Sequence, residues 1–364
     1  MKTILIAHNF IAKSVSAMSY YLAYDLAQKG NRVIFISHKP FFSEKENIKV
    51  GTGEIIVTSW HSEKRPVTFT DFLWYLKIYR QYKPEVVIGH FVGSNITSIV
   101  SKLASFGRIK TVVYYHTISS AISVDLEKNG VLQKILRIRK RLFYNLFCDI
   151  IICPSEFGKT DLKANFSVEG VVVVNSIADR LKNKPNLSND LIEISYLGRL
   201  DHTKGILELI DAFEDYQRTN LNSKIILNIA GSGNLEKQVL KRVQEVSNIK
   251  FIGALSYDKV DAYLNASHFT IIPSKFDNLP TVGIESLMNK TPLLISNGTG
   301  LTKYLTDGKD CYKFDPTHDE ICSVFLRVEK NIEMHREMQE EARATFLSKF
   351  TNEQYFDNIS KILF

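Results

Sequence analysis

The stretch IEISYLGRLDHTKGILELIDAFEDYQR at residues 192–218 decides how this chain folds. Residues 192–197 are an apolar run that reads as a strand, 198–205 are a loop rich in polar residues and glycine, and 206–218 continue at once as a helix. A strand feeding a helix through a short loop is the repeating unit of a helix-covered parallel sheet. The same rhythm extends on both sides. Downstream, strands are predicted at 224–230, 249–252, 269–272, 292–295 and 311–314, with helices at 235–246, 257–266, 281–289 and 319–346. Upstream, strands are predicted at 3–8, 32–37, 54–59, 85–89, 110–115, 149–153 and 171–174, with helices at 16–29 and 69–81. Most strands are unbroken Val/Ile/Leu/Tyr runs, the pattern of strands buried on both faces.

Between the two series lies DRLKNKPNLSND, residues 179–190, with Pro185 and few apolar residues, which reads as a connection between domains. The expected fold is α/β: two Rossmann-like, doubly wound domains facing a cleft, at 1–180 and 190–346. A last helix at 351–364 is expected to start on a Thr351/Gln354 capping box and to dock on the first domain through Tyr355, Phe356, Ile359, Ile362 and Leu363. Ligands of such sheets bind at the carboxyl ends of the strands. The chemistry is therefore expected on loops that follow strands.

Composition narrows the function classes. With 364 residues, 45% hydrophobic and 23% charged, the chain suits two ordinary domains and excludes disorder of the whole. No stretch has the length of an apolar membrane span, and MKTILIAHNF enters a strand without the apolar block of a signal peptide, so a cytoplasmic protein is expected. A net charge of +7 permits an anionic partner. Nucleic acid is not the expected one, because the basic residues are spread along the chain and no recognition module is present. Cys148, Cys153, Cys311 and Cys322 form no CxxC pair and read as small buried hydrophobes, so no metal site is expected.

Two constellations carry chemistry. The first is Gly198-Arg199-Leu200-Asp201-His202-Thr203-Lys204-Gly205, where a strand ends and a helix opens. Free N–H groups and the helix dipole favour an anion there, and Arg199 and Lys204 add a planar fork and a point charge suited to a diphosphate. The second is Asp277-Asn278-Leu279-Pro280-Thr281-Val282-Gly283-Ile284-Glu285, with Pro280 at the first helical position. Glu285 is buried by pattern among Val282, Ile284, Leu287 and Met288, so its carboxylate needs a partner, and a pair of sugar hydroxyls would serve. A solvated loop, a capping Asp277 and a salt-bridged Glu285 would explain the same residues without a ligand.

These motifs resemble those of the retaining glycosyltransferases of family 4, whose fold is the two-Rossmann B-type. That family carries E/D-x-x-P-x-x-x-x-E, matched by Asp277 to Glu285, and a strand-end Gly-Arg followed by Lys-Gly, matched by Gly198-Arg199 and Lys204-Gly205. The resemblance covers most of 190–350 and includes Gly231-Ser232-Gly233, Phe251-Ile252-Gly253 and Pro273-Ser274. It implies that Arg199 and Lys204 hold the donor diphosphate, Glu285 the ribose hydroxyls and Asp277 the donor sugar. The backbone at Asn278, Leu279, Pro280 and Thr281 would add phosphate contacts, with Gly231 near the nucleotide. His116, after the strand at 110–115, would be the histidine beside the reacting centre, whereas His90 reads as structural or acceptor-lining.

The implied activity is sugar transfer from a UDP- or GDP-sugar to a glycan or lipid-linked acceptor in cell-surface polysaccharide or glycoconjugate synthesis, without metal or other cofactor. A sugar-nucleotide 2-epimerase of the same fold, or a non-catalytic partner subunit, stays open. Two departures stand out: the loop His8-Asn9-Phe10-Ile11-Ala12-Lys13-Ser14 has no glycine, and position 277 is Asp instead of Glu.

LQKILRIRKRLFYNLF at 132–147 carries five basic residues and no acid. Helical spacing puts Leu132, Ile135, Leu136, Leu142, Phe143, Leu146 and Phe147 on one face, with Lys134, Arg137 and Arg141 opposite. Such a helix suits an anionic lipid surface, and peripheral contact with the inner face of the cell membrane is expected.

Overall fold

The computed structural model describes residues 1–13, 17–64, 66–119, 130–188, 190–244, 246 and 248–364. The chain divides into two compact units, Met1–Asn175 with Asn352–Phe364, and Ser176–Thr351.

The first unit holds an eight-stranded sheet. Its strands are β1 Thr3–His8, β2 Arg32–Ser37, β3 Glu46–Val50, β4 Gly53–Ser59, β5 Val86–Gly89, β6 Lys110–Tyr114, β7 Ile150–Cys153 and β8 Val171–Val172, in the order β3-β4-β2-β1-β5-β6-β7-β8. Every pair is parallel except β3 with β4. The sequence reading missed β3, whose Glu46, Asn47 and Lys49 are polar and carry no strand pattern. It is a largely exposed edge strand, and charge on an edge protects it from pairing with other chains.

Helices cover both faces: α1 Met18–Gln28, α2 Phe69–Tyr82, α3 Asn95–Ala104, α4 Gly130–Phe147 and α5 Glu156–Phe166. Alternate strand residues choose their side. Ile4, Ile6, Val33 and Phe35 pack with Leu22 and Leu26 of α1, and Leu5, Ala7, Ile34 and Ile36 pack with Tyr75 and Ile78 of α2. The final helix, Asn352–Leu363, lies on the α1 side. There Tyr355, Ile359 and Leu363 join Ile4, Val112 and Tyr114, and Tyr355 and Tyr114 are hydrogen-bonded through their hydroxyls.

The second unit is a six-stranded, wholly parallel sheet. Its strands are β9 Ile192–Leu197, β10 Ile225–Ala230, β11 Ile249–Gly253, β12 Phe269–Ile272, β13 Leu293–Ser296 and β14 Cys311–Phe314, in the order β11-β10-β9-β12-β13-β14. Its helices are α6 Ile206–Thr219, α7 Glu236–Val243, α8 Tyr257–Asn265, α9 Thr281–Met288, α10 His318–Lys330 and α11 His335–Lys349, and the chain ends with α12 Asn352–Leu363 in the first unit. The single helix expected at 319–346 is thus two. Asn331 leaves helical geometry at φ −124°, its side-chain amide donates to the Arg327 carbonyl at 2.8 Å, and a turn at Ile332–Met334 redirects the chain. His335 then bonds the His268 carbonyl at 2.8 Å, fixing the start of α11.

The polar segment 179–190 is fastened to the second unit by its cations. Arg180 reaches Asp261 and Lys184 reaches the Ser267 carbonyl, while Asp179 accepts from Arg343. Among the cysteines, Cys153 and Cys311 are buried as expected, but Cys148 and Cys322 are only half-buried; all four are free thiols.

Candidate active site

In a doubly wound sheet the crevice opens where strand order reverses, at the carboxyl ends of the two central strands. That point lies between β9 and β12 in the second unit and between β1 and β5 in the first. Arg199, Lys204 and Asp277 follow β9 and β12 and His90 follows β5, whereas Gly231 and His116 lie one strand further out, after β10 and β6.

In the second unit, the loop after β9 is held by Asp201. Its side chain accepts from the N–H groups of Thr203 and Lys204 at 3.0 and 3.2 Å, shaping a short 3-10 turn before α6. Gly205 ends that turn at φ +67°, and a Cβ there would lie 2.3 Å from the Pro273 carbonyl oxygen, so only glycine lets this loop press against the end of β12. The Lys275 N–H donates to the Thr203 carbonyl at 3.0 Å, which stitches the two loops together. Gly231, after β10, has φ +143°, and its absent Cβ would come within 1.9 Å of the Gly198 oxygen.

This stitching brings two expected residues into contact: the Lys204 ammonium is hydrogen-bonded to the Asp277 carboxylate. Asp277 is itself fixed by backbone bonds, its N–H to Gly298 at 3.0 Å and its carbonyl from Gly300 at 2.9 Å. Arg199 pairs with Asp201 at 2.8 Å while its side chain stays 69% exposed. Asn278, Leu279 and Pro280 are buried, and Thr281 is half-buried. Pro280 is the residue before α9, not its first helical residue: at ψ 114° it is still extended, and Thr281 opens the helix. At the start of α9 the Gly283 N–H donates to the Pro280 carbonyl at 3.0 Å, and the N–H groups of Thr281 and Val282 stand ahead of the helix's own bonding ladder.

Glu285, 2% exposed, does not meet an empty environment. Its carboxylate receives the Arg180 guanidinium at 3.2 Å, so the salt-bridged reading holds for one of its oxygens. Arg180 also grips Asp261 through two bonds of 2.9 and 3.0 Å and lies 4.9 Å over the Tyr257 ring. Asn289 donates to Asp261 at 3.0 Å. Burial pushes the Glu285 carboxyl up to about 7; the Arg180 charge opposes that shift and Asp261 reinforces it. The sequence reading missed Arg180 and Asp261. Arg180 sat in a segment read as a connection, and no local spacing announces a partner 105 positions away.

His116 lies in the first unit, two residues past β6, and His90 directly follows β5. Their rings bond at 3.2 Å, and His90 continues through Ser19 to His8 at the end of β1. His8 shares the signal that marked the other two, a histidine closing a strand. Phe10, in the glycine-free loop, is buried against Tyr20, Tyr24 and Phe35, so an aromatic plug occupies part of it; Ser14 lies outside the described residues.

Helix α4 departs from its expected single apolar face. Phe143 and Tyr144 are buried on the sheet side, whereas Ile135, Ile138, Leu142 and Leu146 are 53–62% exposed on the outer side, among exposed Lys134, Arg137, Arg139 and Arg141. The apolar residues divide between two faces because the sheet covers only the arc of the helix that holds Phe143 and Tyr144. The side chain of Leu132 lies outside the described residues. No helix among the described residues is long and apolar enough to cross a membrane.

The family model for glycosyl transferases group 1 matches residues 177–345, and that for glycosyltransferase family 4 matches residues 15–179. The chain thus carries a group 1 glycosyltransferase domain in its C-terminal half and a family 4 domain in its N-terminal half. An uncharacterized glycosyltransferase of Methanocaldococcus jannaschii is 25% identical over 218 residues, 59% of each chain. The lipopolysaccharide 1,2-N-acetylglucosaminetransferase of Salmonella typhimurium is 25% identical over 224 residues, 55% of this chain and 58% of that one. The chain thus spans less than two thirds of the length of these relatives. Among solved structures, sucrose-phosphate synthase from Thermosynechococcus elongatus superposes with a TM-score of 0.78 at 14% identity, covering 100% of this chain and 98% of that one. Anabaena HepE in complex with UDP gives 0.73 at 13%, covering 100% and 99%. The chain therefore has the B-type glycosyltransferase fold of two Rossmann-like units.

Proposed function

We propose that this glycosyltransferase family member moves a sugar, with retention at the anomeric carbon, from a UDP- or GDP-sugar to a hydroxyl of a glycan or lipid-linked acceptor in polysaccharide or glycoconjugate synthesis. The observation that carries the reading is the meeting of two motifs at one switch point, with Lys204 after β9 against Asp277 after β12. In this reading Arg199 and Lys204 receive the charge that develops on the departing diphosphate, a task that fixed cations perform without reorganising. The amino end of α9 adds N–H groups, and Asp277 takes a hydroxyl of the donor sugar while steering Lys204. Glu285 accepts from the ribose hydroxyls with the oxygen that Arg180 leaves open, and His116 serves the reacting centre. The UDP bound by the Anabaena neighbour and the acceptor class of the Salmonella relative support the donor and acceptor classes.

The test is turnover of a panel of UDP- and GDP-sugars, in chelator, with and without candidate acceptors. Transfer with the anomeric configuration of the donor kept is the expected result. An isomerised nucleotide sugar formed without acceptor, or donor binding without any turnover, would replace the reading with an epimerase or a partner subunit.

The outer stripe of α4 gives the protein a surface for anionic lipid: four exposed aliphatic side chains can insert while the flanking cations meet headgroups. Each such cation contributes about 1 kcal/mol at an acidic membrane surface. In flotation assays the protein should rise with vesicles containing anionic lipid and stay behind with neutral ones, and Leu142→Glu should abolish the difference. Equal absence from both lipid fractions would rule the surface out.

A further inference from the structure

A cavity of about 550 Å³ opens in the first unit between the chain leading into β3, the end of β4 and α2. Small-ligand sites commonly measure roughly 300–1,000 Å³. None of His8, His90 and His116 lines it. Its walls are tied in place. The Phe42 N–H donates to the Ser59 hydroxyl, and the Lys45 ammonium donates to Gln81 Oε1 and to the Tyr82 hydroxyl, each at 3.2 Å. A wall already held loses little freedom when a ligand arrives.

The lining is aromatic in its centre. Trp60, 2% exposed, packs on half-buried Trp74 with ring centroids 4.7 Å apart, and the His61 ring lies 5.2 Å from Trp74. Asp71 accepts from Trp60 Nε1 at 3.3 Å and lies 3.2 Å from His61 Nε2. With the Trp60 N–H so occupied, the two indoles contribute flat apolar surface.

The chemistry of the rim narrows the ligand. Apart from His61, its charges balance, Lys45 and Lys77 against Glu44 and Glu63. The amino end of α2 is taken up by its own capping box: the Thr68 hydroxyl accepts from the Asp71 N–H at 3.2 Å and the Asp71 carboxylate from the Thr68 N–H at 2.7 Å. A phosphate thus finds neither an excess of cations nor an open helix start. A hydrocarbon chain is disfavoured in turn, because the four charged groups, Ser43 and Gln81 would lose water without gaining partners. A neutral sugar ring suits both parts. Its C–H face rests on the negative face of an indole, and its hydroxyls donate to carboxylates and accept from ammonium groups.

Strands β4, β2, β1 and β5 are neighbours and parallel, so the cavity lies at the same end of the sheet as His8 and His90. Three inter-strand steps of about 4.8 Å put β4 roughly 14 Å from β5. One sugar cannot bridge that distance, whereas a short oligosaccharide can. We propose that this cavity is an anchoring subsite for an uncharged glycan, where a sugar remote from the one being extended stacks on Trp74 and bonds to the rim. The inference rests on the reading of the protein as a transferase, and among the acceptors named there it selects a glycan already several residues long.

Trp60 and Trp74 are the only two tryptophans of the sequence, so tryptophan emission reports on this cavity. The experiment titrates the full chain, without donor, with neutral hexasaccharides of glucose, galactose, mannose and N-acetylglucosamine to about 10 mM, tenfold above a weak Kd of about 1 mM. At least one should shift the emission saturably, and inorganic phosphate should not. Trp74→Leu, which removes the flat face, should abolish the shift. So should Ser43→Phe, which fills the cavity from an exposed position and should keep the parent's Tm. With an active donor, the responding hexasaccharide should have a KM about tenfold below that of its methyl monosaccharide, and in Trp74→Leu the two KM values should converge. No shift with any hexasaccharide, or a shift that survives both variants, overturns the proposal. Binding is read without donor, so the two readings fail separately. Sugar binding by a chain with no transfer activity would remove the transferase reading and keep the subsite, and transfer without an emission shift would do the reverse.

Discussion

Replacing Lys204 with alanine should lower kcat/KM for the nucleotide sugar by roughly 10- to 100-fold, since a hydrogen bond to a charged group contributes about 1.5–3 kcal/mol and about 1.4 kcal/mol is tenfold in rate. Lys204 is the cation best placed to hold a diphosphate, because its side chain is mostly buried and steered by Asp277. Arg199 is 69% exposed and its pairing with Asp201 is screened, so Arg199→Ala should cost less, at the tenfold end. Affinity separates the two roles of Lys204. If it binds the diphosphate, Lys204→Ala should weaken a nucleoside diphosphate and leave the bare nucleoside unaffected. If it only neutralises Asp277, adding Asp277→Asn should repair the variant. A nucleoside diphosphate affinity within about twofold of the parent in both the Lys204 and Arg199 variants would remove these residues from the site.

The second large effect is on stability. Arg180→Met takes away the cation shared by Glu285 and Asp261. Breaking a buried pair by removing one partner costs about 3 kcal/mol, the lower end of the usual range, because Arg180 retains some solvent contact. For a unit of this size that is roughly a 6–12 °C fall in Tm. The pH dependence identifies the cause. Glu285 has a folded-state value of about 7 against 4.5 for the free side chain, so its protonated form is the one the fold favours. Its contribution to stability is greatest below pH 4.5 and declines as pH rises through 7. Without Arg180 the carboxylate is still harder to keep charged. The Tm gap between parent and variant should therefore narrow from pH 8 to pH 6, as Glu285 takes up its proton. A gap that stays constant across this range would mean that lost packing on Tyr257, not the buried carboxylate, explains the destabilisation.

Both predictions depend on contacts that the linear sequence half disclosed. Lys204 and Asp277 were each marked by their setting, at the end of a strand and before a helix. Their contact required β9 and β12 to be neighbours, which comes from the strand order, and required Gly205, which lets the two loops touch. Glu285 was legible as buried because Ile284, Leu287 and Met288 surround it. Its guanidinium partner was not, because Arg180 stands in a polar segment whose composition says only that it is not a strand.

The sequence by itself determined the alternation of strands and helices, the parallel character of the second sheet and of most of the first, and the positions of the two loops that carry the candidate site. These follow from local terms: unbroken apolar runs need cover on both faces, and glycine with cations at a strand-to-helix turn exposes N–H groups to a ligand. Only the tertiary structure decided which loops meet, that β3 pairs as an exposed edge, that the helix expected at 319–346 breaks at Asn331, and that α4 divides its apolar residues between sheet and solvent. It also joined His8, Ser19, His90 and His116 into one row. For the loops that meet and for the histidine row the reason is the same. Both depend on residues far apart in the chain, whose energies exist only after the backbone has placed them within about 3 Å of one another, the range over which hydrogen bonds act; the β3 edge, the break at Asn331 and the division of α4 depend instead on what the rest of the fold covers and where it turns.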